Sequence, residues 1–239
     1  MPMSKRCIPY TPRNRELKDT VFALITTAGV QLRDQEPFDL AGDNSWRVIA
    51  GDASTDELIA RHEHYDTHDA NEDMNVVFPL DRLRELADEG IIGGVSDKHI
   101  GFMGYTQLFR DLYDRAAPEM AKVLLRSKAD GVILTAGCPL CHRVVVAIAR
   151  EVEMVGIPTV VITVAPEQSK QAGPPRAIAP IHFKLGNSLG APHQNNVQRQ
   201  VLLDALRRWE AREEPGHIWE IEYPQYDSSQ WQPINLQEG

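Results

Sequence analysis

Two cysteines in the stretch "LTAGCPLCHRVVV", residues 134–146, are the side chains best suited to covalent chemistry. Cys138 follows an apolar run that predicts a buried strand, and Cys141 falls in the first turn of the next predicted helix. Free N–H groups and the dipole at a helix start favour a thiolate over a thiol. Because the thiolate is the reactive form, the spacing predicts Cys138 as nucleophile and Cys141 as resolving thiol. His142 directly after the pair can add positive charge.

Other interpretations of the cysteine pair stay open. Both can be buried structural residues, which is common for cysteine, but a Gly-Cys-Pro-x-Cys-His turn between strand and helix is an unusual place for packing alone. A zinc site would need two further ligands, which His62, His64 and His68 could supply. Three cysteines do not make a disulfide framework, and in a reducing compartment C-x-x-C indicates redox or metal chemistry first.

A second group of polar side chains lies in "RHEHYDTHDANEDMN", residues 61–75. The spacing H-x-H-x-x-x-H has little specificity for metal, so metal ligation and a solvated loop remain alternatives. The mixture of imidazoles and carboxylates favours a substrate pocket with hydrogen bonding and proton transfer. The predicted substrate-binding residues are His62, His64, Asp66, His68, Asp69 and Glu72, together with Thr27 in the turn "TTAG".

The elements that must position these residues alternate along the chain. Apolar runs predict strands, and amphipathic runs between them predict helices. The strands are at 21–26, 46–50, 74–78, 131–136 and 157–164, and the helices are at 79–90, 106–128 (two helices), 141–156 and 197–212. This alternation predicts an α/β fold of the Rossmann or flavodoxin-like kind, with a mainly parallel sheet and helices on both faces. Both the "TTAG" and "TAGCPLC" turns then belong at the ligand-binding edge.

Composition sets limits on domains, partners and location. Residues 1–214 are predicted to form a single α/β domain with the C-x-x-C turn, and residues 215–239 an extended C-terminal arm. A formal net charge of -9 argues against nucleic-acid binding. No apolar stretch is long enough for a membrane span, and the N-terminus has no signal-like apolar region, which predicts a cytoplasmic protein. The aromatic arm predicts a homo-oligomer, with a dimer expected.

Several stretches in one order carry a resemblance to a known family. They are "FALITTAGV" (22–30), "SWRVI" (45–49), "RHEHYDTHDANEDMNVVFPLDRL" (61–83), "GFMGY" (101–105), "LTAGCPLCH" (134–142), "GIPTV" (156–160) and "PPRA" (174–177). Together they resemble the selenoprotein B family of the glycine, sarcosine, betaine and D-proline reductases. The likeness runs from about Phe22 to about Trp209.

The resemblance implies reductive cleavage of a C–N bond. In that family a selenocysteine attacks the substrate's α-carbon, and a nearby cysteine resolves the adduct. Cys138 stands where those members carry selenocysteine, and Cys141 matches the resolving thiol. A pyruvoyl group would come from a partner subunit and electrons from a thiol or dithiol donor, with no cofactor in this chain. The expected function is thus a dithiol-dependent reductase of a small amino-acid-like substrate. The alternatives are a zinc-binding protein or metallohydrolase, and a non-catalytic subunit.

Overall fold

The fold is α/β, as predicted, and a computed structural model describes residues 7–42 and 44–233. The strands are β1 Val21–Thr26, β2 Val30–Leu32, β3 Trp46–Ala50, β4 Leu58–Ala60, β5 Gly94–Val95, β6 Lys98–Phe102, β7 Gly131–Thr135, β8 Thr159–Ile162, β9 Ala177–Pro180 and β10 Ile218–Ile221. Within the described ranges, eight strands form the main sheet in the order β10-β9-β8-β7-β1-β6-β3, with β5 beside β1. Its pairs are parallel except β3 with β6. Strands β2 and β4 form a separate antiparallel pair.

Helices cover both faces of this sheet, which confirms the predicted layering. They are α1 His68–Glu72, α2 Leu80–Asp88, α3 Phe109–Asp111, α4 Ala117–Arg126, α5 Pro139–Met154, α6 Pro166–Ala172 and α7 Asn195–Glu210. Side chains of β1 alternate between two cores because successive strand residues point to opposite faces. Phe22 and Leu24 pack in the core with α2 and α7, whereas Ala23 and Ile25 pack in the core with α4 and α5.

The strand predicted at 74–78 is wrong. Met74–Val76 forms a single 3-10 turn, and the Asp73 side chain caps it by accepting the backbone N–H of Asn75 at 3.0 Å. Val77 and Phe78 are fully buried, so the apolar run reports burial rather than extended backbone. Short apolar runs do not distinguish these cases. The two helices expected in 106–128 form one continuous run, because a π-helical turn at Leu112–Ala116 joins α3 to α4.

The C-terminal stretch adds a strand to the main sheet. β10 runs parallel to β9, with Ile218 opposite Ala177. Beyond it, Tyr226 stacks on Phe183 with ring centroids 3.8 Å apart. The described part of the predicted arm therefore covers its own domain, while residues 234–239 of that arm lie outside the described residues. The homo-oligomer stays a prediction.

No helix in the described part of the chain is both long enough and apolar enough to span a membrane.

Candidate active site

The two cysteines lie where β7 gives way to α5. Cys138 is the N-cap of α5, and its Sγ accepts the backbone N–H of Cys141 at 3.2 Å. Pro139 occupies the first helical position, where no backbone donor is needed. Thr27 follows the adjacent strand β1, and its hydroxyl donates to the Cys141 carbonyl at 3.2 Å. The carboxyl ends of two neighbouring parallel strands thus fix the dithiol, and Thr27 holds its backbone.

His62 approaches the dithiol from the loop after β4. Its Nε2 lies 3.2 Å from Cys141 Sγ, while its Nδ1 lies 3.0 Å from the backbone nitrogen of His64. The backbone N–H of His64 can only donate, so Nδ1 accepts and the neutral ring carries its proton on Nε2. His62 therefore presents an N–H to the sulfur of Cys141. The sequence predicted this residue as substrate-binding, and the structure places it against Cys141.

The two thiols have opposite tendencies to ionise. Burial alone raises the pKa of Cys138, but hydrogen bonds from the Cys141 side chain, from His62 and from the Cys141 N–H together lower that pKa below its usual value. The pKa of Cys141 is raised well above its usual value, first by burial and then by the hydrogen bond and charge of Cys138. These opposite directions favour a thiolate on Cys138 and a proton on Cys141, and the roles of nucleophile and resolving thiol stay a prediction.

This asymmetry predicts an ordered alkylation. In a Cys7→Ser background, which removes the exposed cysteine, we expect iodoacetamide to modify Cys138 at lower pH than Cys141. The thiolate fraction rises as pH passes through the pKa, so a lowered pKa shifts the onset for Cys138 below that of a free cysteine at about 8.5. Peptide mass mapping across a pH series measures both sulfurs. Equal modification of both with one ordinary midpoint would contradict the assignment.

A cavity of about 730 Å³ opens beside Cys138. Its lining includes Glu63, His64, Tyr65, Asp66, Tyr105, Cys138, Leu140, Lys184, Gln230 and Gln232. Cys138 forms part of this wall although its solvent-exposed fraction is 0%. The ring of Tyr65 covers Gly137 so closely that an added Cβ there would lie 2.8 Å from Tyr65 Cδ1. A substrate in the cavity therefore reaches Cys138 Sγ only when a side chain that buries it, such as Tyr65, shifts.

The predicted substrate-binding residues divide between this cavity and its surroundings. His64 and Asp66 line the cavity, and the His64 ring packs against Tyr105 at a tilt, with centroids 3.7 Å apart. Asp69 does not line the cavity but pairs with the ammonium of Lys184 at 2.8 Å. Although burial opposes ionisation, the hydrogen bonds and charge of Lys184 and the amide of Asn187 lower the pKa of Asp69. Asp69 therefore positions Lys184, which itself faces the cavity.

Three predicted residues lie elsewhere. His68 is exposed and pairs with Glu72 at 3.6 Å, and Glu72 lines a different, polar cavity beside His193. The His142 Nδ1 lies 2.9 Å from Thr163 Oγ1, and burial lowers the pKa of this ring to about 3. A neutral, buried ring cannot supply the charge that the sequence predicted for His142. Helix geometry explains this correction, because residues 141 and 142 point about 100° apart around the axis.

The zinc-site alternative depends on which side-chain atoms could bind the metal. His62 Nε2 and the sulfurs of Cys138 and Cys141 all lie within 4.8 Å of one another. Among the described residues, His64 and His68 do not join this group. A histidine bound to metal through Nε2 carries its proton on Nδ1 and donates it to an acceptor. Here Nδ1 faces the N–H of His64, so ligation would break that hydrogen bond and set two donors against each other. This arrangement does not fit zinc.

The sequence interpretation missed several residues of the cavity wall. Tyr65 lies inside the polar stretch of residues 61–75, and its hydroxyl donates to the Ala28 carbonyl at 2.8 Å. Tyr105 ends the quoted motif "GFMGY". Lys184 lies in the loop after β9 and Gln230 ends the 3-10 turn Ser228–Gln230; their side chains meet at 2.9 Å, and neither belongs to a motif. Only the tyrosines carried a signal, as aromatic residues within stretches already recognised.

Comparison with known proteins identifies relatives across most of the chain. The profile of the family described as glycine/sarcosine/betaine reductase selenoprotein B matches residues 1–137, ending one residue before Cys138. The chain is 39% identical to D-proline reductase subunit gamma of Acetoanaerobium sticklandii over 90% of this chain and 88% of the relative. It is 30% identical to glycine reductase complex component B subunit gamma of Carboxydothermus hydrogenoformans over 84% of this chain.

The relatives differ in length. The chain spans only 48% of that glycine reductase subunit, and 52% of sarcosine reductase complex component B subunit beta of Peptoclostridium acidaminophilum, to which it is 25% identical. No solved structure matches the chain.

Proposed function

The chain belongs to the glycine/sarcosine/betaine reductase selenoprotein B family, and from this premise we propose that it is the dithiol-bearing subunit of a reductase complex. Its reaction would be the reductive cleavage of a C–N bond in a small amino-acid-like substrate. The observation that carries this proposal is the opposite shift of the two cysteine pKa values in the turn before α5. It favours a thiolate on Cys138, at the cavity wall, and a thiol on Cys141, behind it.

The pair can supply two electrons in two steps. The Cys138 thiolate attacks the α-carbon, a C–S bond forms, and the amine leaves with the C–N electron pair and takes the proton that Cys141 gives up. The Cys141 thiolate then attacks Cys138 Sγ, a disulfide forms, and the carbon leaves with the C–S electron pair and takes a proton from water. The carbon is reduced by two electrons and the dithiol is oxidised by two. A thiol or dithiol donor restores the reduced pair.

The cavity offers groups for both ends of an amino acid. The Lys184 ammonium can pair with a carboxylate, and Glu63 and Asp66 can pair with an ammonium. His64 adds a ring nitrogen for hydrogen bonding or proton transfer. By the resemblance, a pyruvoyl group would be carried by a partner subunit and would supply an electrophilic carbonyl for the substrate amine. The complex, rather than the isolated chain, is therefore the active unit in this proposal.

D-proline is the substrate to test first, because the relative that the chain matches over nearly its full length is a D-proline reductase subunit. We expect the complex, isolated through a tag on this chain from its native host, to convert D-proline to ring-opened 5-aminopentanoate when dithiothreitol is present. Quantitative amino-acid analysis with and without the dithiol measures this. Glycine, sarcosine and betaine serve as comparison substrates. An assembled complex that reduces none of the four would overturn the proposed reaction.

A further inference from the structure

The loop that carries His62 is held rigidly against the sheet. The backbone N–H of Arg61 donates to the Gly29 carbonyl at 3.0 Å, just after the end of β1. The Asn71 side chain bonds both backbone groups of Ala60, at 2.8 and 3.0 Å. The Tyr65 ring, whose centroid is 5.0 Å from that of His62, packs on the same loop. His62 itself is only 9% exposed. Its ring therefore has a fixed position.

The tautomer of the neutral ring is also fixed. The His64 N–H occupies Nδ1, which leaves Nε2–H as the donor that points at Cys141 Sγ. A backbone amide cannot reverse its direction, so the tautomer holds as long as the loop keeps its conformation. His62 is thus suited to donate one hydrogen bond continuously, and poorly suited to accept a proton from a thiol or to bind a substrate.

We propose that His62 is a positioning residue for the resolving step, whose locked Nε2–H stabilises the Cys141 thiolate that forms once Cys138 carries the adduct. Before the first step, the charge on Cys138 opposes a second charge on Cys141. Formation of the C–S bond removes the Cys138 charge, and the hydrogen bond from His62 remains. The anion therefore moves from Cys138 to Cys141 as the reaction advances, and only then does Cys141 become the nucleophile.

This inference rests on the proposed order of the two thiols, but its test needs neither substrate nor partner. In a Cys7→Ser background, 2,2′-dipyridyl disulfide reacts with Cys138 and releases one pyridine-2-thione. Attack by Cys141 on the mixed disulfide then releases a second one and closes the Cys138–Cys141 disulfide. Stopped-flow absorbance resolves the two phases, and the second phase reports the resolving step alone. A failure here would leave the C–N cleavage assay intact, and the reverse also holds.

Two substitutions separate the hydrogen bond from mere packing. His62→Leu removes the donor, and His62→Gln keeps an N–H near the Nε2 position. Because His62 also helps to lower the pKa of Cys138, the first phase slows in His62→Leu as well, so the ratio of second-phase to first-phase rate is compared. We expect this ratio to fall roughly tenfold or more in His62→Leu and to stay near the parent value in His62→Gln.

Two results would overturn the proposal. One is an unchanged ratio in folded His62→Leu protein, which would make the contact with Cys141 incidental. The other is an equal loss in His62→Gln, which would show that an imidazole, rather than a fixed N–H donor, is required. Circular dichroism of both variants establishes that the fold is retained before the rates are compared.

Discussion

Substitution Cys138→Ser should lower turnover by the isolated complex by about a thousandfold or more, because a serine hydroxyl is not ionised at neutral pH and cannot form the first C–S bond. Substitution Cys141→Ser should lower turnover similarly but for a different reason. Cys138 can still attack, yet nothing resolves the product. The adduct should then accumulate on Cys138 and be visible as added mass on the peptide that contains it.

The third cysteine provides the matched control for these two changes. Cys7 is exposed and lies outside the site, so Cys7→Ser should leave turnover unchanged and carry no adduct. Peptide mass spectrometry after incubation with D-proline distinguishes the three variants. Adduct on Cys141 in place of Cys138 would reverse the assigned roles. Retained turnover in Cys138→Ser would remove the dithiol from the mechanism altogether.

The largest effect on the free energy of unfolding is expected at a buried ion pair between α5 and the residue just before β9. Arg176 Nη1 lies 2.8 Å from Glu153 Oε1, and the two side chains are 1% and 0% exposed. Arg176 also donates to the Thr11 carbonyl at 2.6 Å, and its guanidinium lies 3.8 Å from the centroid of the Tyr10 ring. The pair therefore joins the N-terminal segment to the core. Arg176→Met would leave the Glu153 carboxylate buried without its cation.

Removal of one partner of a buried pair typically costs about 3–5 kcal/mol in the free energy of unfolding. We expect Arg176→Met to lose this amount at pH 8 and less at pH 5. Burial raises the pKa of Glu153 despite the opposing charge of Arg176, and loss of Arg176 would raise that pKa further. A carboxyl whose pKa is raised on folding destabilises the fold only when ionised, so the loss grows as pH rises.

The control for this prediction is an exposed pair with the same substitution. Arg207 Nη1 lies 2.7 Å from Asp204 Oδ1, but the Arg207 side chain is 65% exposed. Arg207→Met should cost less than about 1 kcal/mol, because water already screens the pair. Urea denaturation followed by tryptophan fluorescence measures all three proteins. Equal losses for the two variants would show that the Glu153–Arg176 contact does not anchor the N-terminal segment.

The sequence by itself determined the layered fold and the chemical character of the turn before α5. Alternating apolar strands and amphipathic helices depend on local periodicity, so β1, β7, β8, α5 and α7 were predictable. The two cysteines could be recognised as a candidate reactive pair from their spacing and their place at the start of a predicted helix. The strand wrongly expected at 74–78 shows the limit of this approach, since a short apolar run indicates burial without fixing the backbone.

Only the tertiary structure decided which side chains meet the sulfurs. His62 and Cys141 are 79 residues apart in sequence, and their contact depends on how the loop after β4 packs over the end of β1. His142, the immediate neighbour of Cys141, is turned into the core by the helical rotation between successive residues. Sequence spacing reports local geometry, whereas the contacts that set proton positions and charge come from long-range packing. For this reason the thiol pair was predictable from the sequence, and the hydrogen-bond donor to Cys141 was not.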